Sequence, residues 1–562
     1  MLILGEPPEA TLEQVRETGR TADLSPAPGL RYDAVVVLDA VTPLETAAGH
    51  LVPRGMLFWC TGEPREPWAA RLASAGLRVY DDPGTPEDAP CTAVHQDYDP
   101  LDHAVALRES GRTDWAVEVL RRMPETFYAD PFRQVAACVE HQRCLLLLAR
   151  GADDAGLSLS LFFRAQKAFF RAVYIDPHAH EAYRVQAEFW THIGRPDRAV
   201  ALLRGIQFSA PDEDCAAQLA VLGTPPPPPP CAVPTLETPR ATPRMLALVI
   251  PGYDPGMDIL YDGLRTVLGA EGVVEYPWKP LLHGERHEEA DGYPTTFRHP
   301  GAASDLDGVC TQLEAGAFDA ILYADLLRTL PLDALRRVLR SAGNTPLFIV
   351  DGWDDASNNL PMMLEHLAVE ASRVFGYFKR EMIAGVDYGA KAIPLPLAYP
   401  DGRVPAVFPA RRERALFWAG NRYYGLRRLY LEYVEAATGL RLDTKYTQED
   451  YARALDHTVL GLSLCGFGFD TIRYWEVPAH GGVLLAEHPP IVIPHDFTDL
   501  ENAVLFRDVP ELLARLAWCL GHTGRLPEIA AAGHRHFLAH HTASARARQL
   551  LAHMERALRE HA

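Results

Sequence analysis

The chain has 562 residues, of which 48% are hydrophobic and 23% charged, and its formal net charge is −20. That length exceeds a single core and predicts about three or four domains, with the composition of globular rather than disordered chain. The acidic balance excludes binding to nucleic acid or an anionic membrane by bulk electrostatics, while leaving room for a local basic cleft. Apolar runs stay below membrane-spanning length and the first residues lack a signal-type core, so a soluble, cytoplasmic protein is expected. Nine scattered cysteines contain no Cys-x-x-Cys pair, which argues against a zinc site and against a disulfide framework.

Residues 1–95 read as a small α/β domain. Strand-like runs cover 1–4, 34–38, 56–60 and 77–80, with helical patterns around 12–16 and 68–75. The order of Tyr32-Asp33-Ala34-Val35-Val36-Val37, Pro53-Arg54-Gly55-Met56 and Gly76-Leu77-Arg78-Val79 resembles the second half of a Rossmann-like methyltransferase. Leu4-Gly5-Glu6-Pro7-Pro8 stands where that family needs a Gly-x-Gly loop, and two prolines have no N–H to offer a ligand. A structural or docking module is expected there rather than a cofactor site.

Residues 96–221 read as all-helical. Gly111 before Ala116-Val117 and Gly194 before Ala199-Val200 punctuate two similar helix pairs, and Asp176-Pro177 and Ala210-Pro211 fall 34 residues apart. Asp130-Pro131 is an earlier, less regular stop. Together these resemble tetratricopeptide repeats, which implies either a groove for a peptide, acceptor or subunit, or a plain spacer. Residues 222–244 hold six consecutive prolines and predict an extended linker.

From residue 245 onward apolar strands alternate with helices, the pattern of α/β domains. Strands are expected at 245–250, 320–324, 346–350, 392–397, 415–419, 459–464 and 483–486, grouped into two halves, 245–400 and 401–562. Ligands of such folds bind at the carboxyl ends of the strands, which places a cleft between the halves. Strand-end acids of the first half, Asp254, Asp351, Asp354 and Asp355, are the candidates for a general base, with Asp254 and Asp351 preferred. Turn formation or helix capping is the alternative role for each.

The richest segment is Gly466-Phe467-Gly468-Phe469-Asp470-Thr471-Ile472-Arg473-Tyr474-Trp475-Glu476. A buried strand precedes it, Gly481-Gly482 ends the helix it opens, and a second strand follows, a βαβ unit whose N–H groups suit a phosphate. With Val504-Leu505-Phe506-Arg507-Asp508, the Glu511-Leu512-Leu513 run and His541-Thr542 in order behind it, this part resembles the nucleotide-sugar half of GT-B glycosyltransferases, nearest the exostosin-like and spore-maturation types.

That resemblance implies a multidomain fold: a Rossmann-like N-terminal domain, helical repeats and a GT-B pair of Rossmann-like halves. It implies sugar transfer from a UDP- or GDP-sugar to a protein or glycan acceptor, with no cofactor or metal beyond the co-substrate, side chains and helix dipoles neutralising the leaving group. Donor-binding residues carried over are Gly466, Gly468, Asp470, Arg473 and Glu476, with Gly420, Asn421 and Arg422 as a second phosphate-facing turn and Arg427 or Lys445 as further sources of charge. Gly468 stands where many retaining members carry a second glutamate, so the stereochemical outcome stays open. The rival readings are a non-catalytic repeat scaffold and a nucleotide-sugar epimerase of the same architecture. His534, His536, His540 and His541 lack partners at metal-ligand spacing and read as structural.

Overall fold

A computed structural model describes residues 2–4, 32–37, 51–59, 77–79, 91–95, 98–123, 127–226, 242–285, 297–409 and 412–561. The chain divides into two compact units, Met1–Gly151 with Arg164–Val185, and Ala152–Phe163 with Gln186–Ala562.

The first unit opens with strands β1 (Leu2–Leu4), β2 (Tyr32–Val37), β3 (Leu51–Trp59), β4 (Leu77–Val79) and β5 (Cys91–His95). Their order in the sheet is β1-β2-β3-β5-β4, with β1 to β3 parallel and β5 antiparallel to both neighbours. The sequence reading missed β5; the helical patterns at 12–16 and 68–75, the Gly5–Pro8 loop and most of the proline run lie outside the described residues.

Helices α1 (Pro100–Glu109), α2 (Thr113–Arg121) and α3 (Pro131–Arg150) follow. Asp99 starts α1 by accepting Asp102 N at 3.1 Å, and the same carboxylate takes the Tyr128 hydroxyl and the Arg133 guanidinium at 2.6 Å each. Gly111 turns the chain between α1 and α2 at φ +80°, a conformation that favours glycine. Helices α4 (Ala155–Ile175) and α5 (His180–His192) come next, then α6 (Pro196–Ser209) and α7 (Glu213–Leu222); Gly194 repeats the turn at φ +82° before α6.

The second unit contains two parallel sheets. Strands β6 (Met245–Leu248), β7 (Val273–Tyr276), β8 (Ala320–Tyr323), β9 (Leu347–Asp351), β10 (Val374–Lys379) and β11 (Ala392–Pro394) form the first, in the order β11-β10-β9-β8-β6-β7. Helices α8 (Pro255–Leu268), α9 (Leu306–Glu314), α10 (Leu332–Ser341) and α11 (Leu360–Leu367) connect them. β6, β8 and β9 are buried throughout, which explains why they read as unbroken apolar runs rather than alternating ones. β7 and β10 are absent from the strands expected from the sequence: Glu275 breaks the short apolar run of β7, and β10 leads straight into the charged run Lys379-Arg380-Glu381.

Strands β12 (Arg414–Phe417), β13 (Thr458–Ser463), β14 (Val483–Glu487) and β15 (Val504–Phe506) form the second sheet in chain order. Its helices are α12 (Arg427–Thr438), α13 (Gln448–Asp456), α14 (Ile472–Ala479), α15 (Val509–Gly521) and α16 (Leu526–His540). The last helix, α17 (Ala543–His561), returns to the first sheet, where Ala547, Leu550, Leu551 and Met554 join the core formed by Tyr261, Leu264, Phe348 and Phe378.

Glycine makes that return possible: an ideal Cβ on Gly263 of α8 would lie 2.0 Å from the Ala543 carbonyl oxygen. Gly263→Ala is expected to destabilise the unit by ~1–3 kcal/mol through overpacking, read as a lowered denaturant midpoint; an unchanged midpoint would contradict this packing.

Arginine side chains of α6 and of the residue before it fasten this helix to the segments that follow β14 and β15. Arg195 Nη1 donates to Pro490 O at 2.8 Å, Arg198 Nη1 donates to His488 O at 2.9 Å, and Arg204 pairs with Asp508 at 3.3 Å.

Candidate active site

A cleft of about 560 Å³ opens where the carboxyl ends of both parallel sheets face each other. The first sheet contributes Tyr253, Asp254, Leu327, Trp353, Asp354 and Arg380; the second contributes Tyr424, Arg427 and the Gly466 to Arg473 stretch. The strand, glycine turn, helix and strand expected from the sequence are β13, the 466–470 loop, α14 and β14, and Gly481 ends the helix at φ +67°.

Two guanidiniums define the cleft on the second side. Arg427 is buried, and its nitrogens donate to the carbonyls of Cys465 at 3.0 Å, Asn421 at 3.2 Å and Leu464 at 3.2 Å. Burial, reinforced by the charge of Arg473, pulls its pKa down to about 10. Arg473 is 8% exposed, lies with its guanidinium carbon 5.6 Å from the centre of the Trp418 ring, and has a buried Nε without a hydrogen-bond partner. Among the described residues neither arginine has a carboxylate within ion-pair distance. Glycines make room for both: an ideal Cβ on Gly466 would fall 2.6 Å from Arg427 Nη2, and one on Gly420, at φ +151°, 2.6 Å from Arg473 Nη2. Helix α14 also begins without a side-chain cap, because the Thr471 hydroxyl is 3.0 Å from Ser463 Oγ instead. Its open N-terminus adds partial positive charge on the same wall.

Arg380 organises the opposite wall. Its Nη1 donates to Gly352 O at 2.9 Å and its Nη2 to Asp470 O at 2.6 Å, and it pairs with Asp354 at 2.6 Å and with Glu381 at 3.5 Å. Burial opposes its charge, but the three surrounding acids win and hold its pKa above the ordinary value.

The sequence-predicted residues fall into different positions. Asp254 lines the cleft and at the same time caps α8, accepting Met257 N at 3.1 Å; burial raises its pKa against the opposing pull of Lys279. Asp351 is buried beneath, bonded by the Tyr377 hydroxyl, by Asn359 Nδ2 at 2.9 Å and by Lys379 Nζ at 3.0 Å, so its oxygens serve the fold. Asp470 is likewise engaged: Leu397 N and Trp475 Nε1 donate to it at 2.5 and 2.8 Å, and burial raises its pKa. Gly466 and Gly468 line the cleft, whereas Arg422 turns to Glu435 at 3.1 Å. Asn421 caps its own turn by accepting Tyr423 N at 2.9 Å while its carbonyl serves Arg427. Glu476 is buried on α14 and accepts the Tyr451 hydroxyl at 2.6 Å. Lys445 lines a separate cavity of about 870 Å³ beside the edge strand β12, together with Arg414, Asp450 and Arg453.

Glu381 and Arg380 were missed from sequence. Recognising Val374-Phe375-Gly376-Tyr377-Phe378 as a strand would have placed both at a strand's carboxyl end. His480 lies with Nδ1 2.7 Å from Asp456 and Nε2 3.0 Å from the Tyr399 hydroxyl, and His536 and His541 both contact His495 O. Among the described residues no group of three His, Cys, Asp or Glu side chains is arranged to hold a metal. No described helix is long and apolar enough to cross a membrane.

Residues 410–552, which hold the second sheet and its helices, match the family described as glycosyl transferase-like. A search of curated proteins returns no match. Among solved structures, an O-GlcNAc transferase mutant of Thermobaculum terrenum is 13% identical over 82% of this chain and 98% of its own, with a TM-score of 0.36. HepE of Anabaena in complex with UDP is 11% identical over 56% of this chain and 100% of its own, TM-score 0.36. A sucrose-phosphate synthase of Thermosynechococcus elongatus is 12% identical over 57% and 100%, TM-score 0.31.

The role of Asp351 is open to a direct check. Lys379→Met strips the cation from a carboxylate buried with it, and a stability loss of ~3–5 kcal/mol in chemical denaturation is expected. Unchanged stability would free Asp351 for chemistry.

Proposed function

We propose that the chain is a glycosyltransferase that moves a sugar from a nucleoside-diphosphate donor to a glycan or protein acceptor. The observation that carries this reading is the pair of buried guanidiniums, Arg427 and Arg473, that face one cleft with no carboxylate partner among the described residues. Two uncompensated buried cations are costly unless an anion completes them, and a diphosphate supplies two negative groups at bidentate geometry. The uncapped start of α14 supports the same ligand, and the glycosyl transferase-like match covers these residues.

In this reading Arg473, Arg427 and the α14 N-terminus stabilise the diphosphate as it leaves, the role a metal would otherwise fill. Glu476 receives the ribose hydroxyls beside Tyr451. Asp254, its pKa raised by burial and its side chain placed across the cleft, takes the proton of the acceptor hydroxyl. The helical segments give the acceptor or a partner its surface.

A donor panel of UDP- and GDP-sugars, read by calorimetry and by product release, tests the proposal. Arg473→Met is expected to weaken donor binding at least ~tenfold, the worth of a lost charge-assisted contact, without lowering stability. Asp254→Asn is expected to retain donor binding while turnover falls ~10²–10⁴-fold. Absence of binding and turnover with every donor would sink the reading; full turnover in Asp254→Asn would move the base elsewhere.

A further inference from the structure

Glu381 follows β10 in the first sheet and is fully buried, yet it holds the loop of the second. It accepts Phe469 N at 2.9 Å and Asp470 N at 3.0 Å, one loop N–H on each oxygen. Those two N–H groups are therefore engaged by Glu381, which narrows the expectation that the N–H groups of this unit suit a phosphate. The neighbouring glycine is shaped by the same carboxylate: an ideal Cβ on Gly468 would lie 2.5 Å from Glu381 Oε1 and 3.0 Å from Asp354 Oδ1. Position 468 has no room for a side chain while Glu381 occupies this place.

We propose that Glu381 is a positioning residue that sets the 466–470 loop, and with it Arg473 and the start of α14, for the donor diphosphate. The proposal rests on the donor reading of the cleft. Glu381 touches no reacting atom; it acts by fixing two backbone N–H groups, so that a residue after one sheet's strand helps set the loop of the other.

The charges around Glu381 make this hold sensitive to protons. Arg380 faces it at 3.5 Å; Asp354 from the β9 loop and Asp470 from the glycine loop add negative charge. The Tyr388 hydroxyl contacts its carbonyl at 3.4 Å, Cys465 lies near with its thiol pushed well up by burial, and Arg427 feels the charge of Asp354. Burial first, and then Asp470 and Asp354 against the opposing Arg380, raise Glu381 from 4.5 to about 7. The folded chain thus holds this proton more tightly than the unfolded chain does. Its contribution to stability is full below the ordinary carboxylate range and is lost as the pH rises to about 7. The loop behaves oppositely: the ionised carboxylate accepts both N–H groups and the neutral acid fully accepts one, so donor affinity rises with pH through the same window.

Calorimetry with UDP- and GDP-sugars, whose diphosphate diesters do not titrate between about pH 6 and 8, separates these effects. Wild type is expected to bind about tenfold more tightly at the upper end of that range than at the lower, the scale of one charge-assisted hydrogen bond. Glu381→Gln is expected to bind weakly with no pH dependence, since its amide offers one acceptor and one donor to two N–H groups. Gly468→Ala keeps the carboxylate but displaces the loop, and the same loss of affinity is expected from a folded protein. Binding by wild type that is independent of pH, or Glu381→Gln that binds as tightly as wild type at the upper pH, would overturn the positioning role alone. No binding by any donor at any pH would overturn the donor reading and this role with it.

Discussion

Two arginines without acids shape the loops that the second sheet presents to the cleft. In a chain with 74 acidic and 54 basic residues, Arg427 and Arg473 are nevertheless buried side by side with no carboxylate in reach among the described residues. Their cost is visible in the lowered pKa of Arg427 and in the partnerless Nε of Arg473. It is visible also in the glycines at 420 and 466, each of which would lose its place to a guanidinium if it carried a Cβ. Carbonyls of Asn421, Leu464 and Cys465 satisfy the hydrogens of Arg427 but leave its charge uncompensated. The two like charges repel each other, which adds to the cost of burying them.

Arg380 presents the opposite balance. One guanidinium stands among Asp354, Glu381 and Asp470, and through Gly352 O and Asp470 O it also binds main chain from both sides of the cleft. Acids gather around Arg380, whereas Arg427 and Arg473 across the cleft stand without them among the described residues. Packing carries the same loop from behind: the rings of Phe467 and Phe469 lie 5.8 Å from those of Phe163 and Trp190. The loop is therefore gripped by charge in front and by aromatic surface behind, with α6 fastened to the second sheet through Arg195 and Arg198.

Much of this was legible in the chain because buried parallel strands leave an unbroken apolar record. The runs that became β6, β8, β9, β13 and β14 are buried along their whole length or nearly so, and the glycine turn and its helix followed directly from the pattern after β13. The 34-residue spacing of proline stops fell within a helical stretch, and Gly111 and Gly194 turned out to occupy the same left-handed conformation. What was not legible came from pairings between distant segments. Nothing near Arg422 in sequence announces that Glu435 will claim it, whereas Arg427 five residues later faces the cleft. Asp351 and Asp254 look alike as strand-end acids; only the fold brings Lys379, Tyr377 and Asn359 around one and leaves the other at the cleft wall. Glu381 was invisible because β10 ends in the charged run Lys379-Arg380-Glu381, which reads as surface until its partners 88 and 89 residues away are known.

The most direct test is a crystal structure with UDP bound. The diphosphate is expected in the cleft, within hydrogen-bond distance of both Arg427 and Arg473 and at the first turn of α14. A diphosphate bound instead among Arg414, Lys445 and Arg453 beside β12, or one in the cleft that touches neither guanidinium, would overturn the assignment of the two arginines.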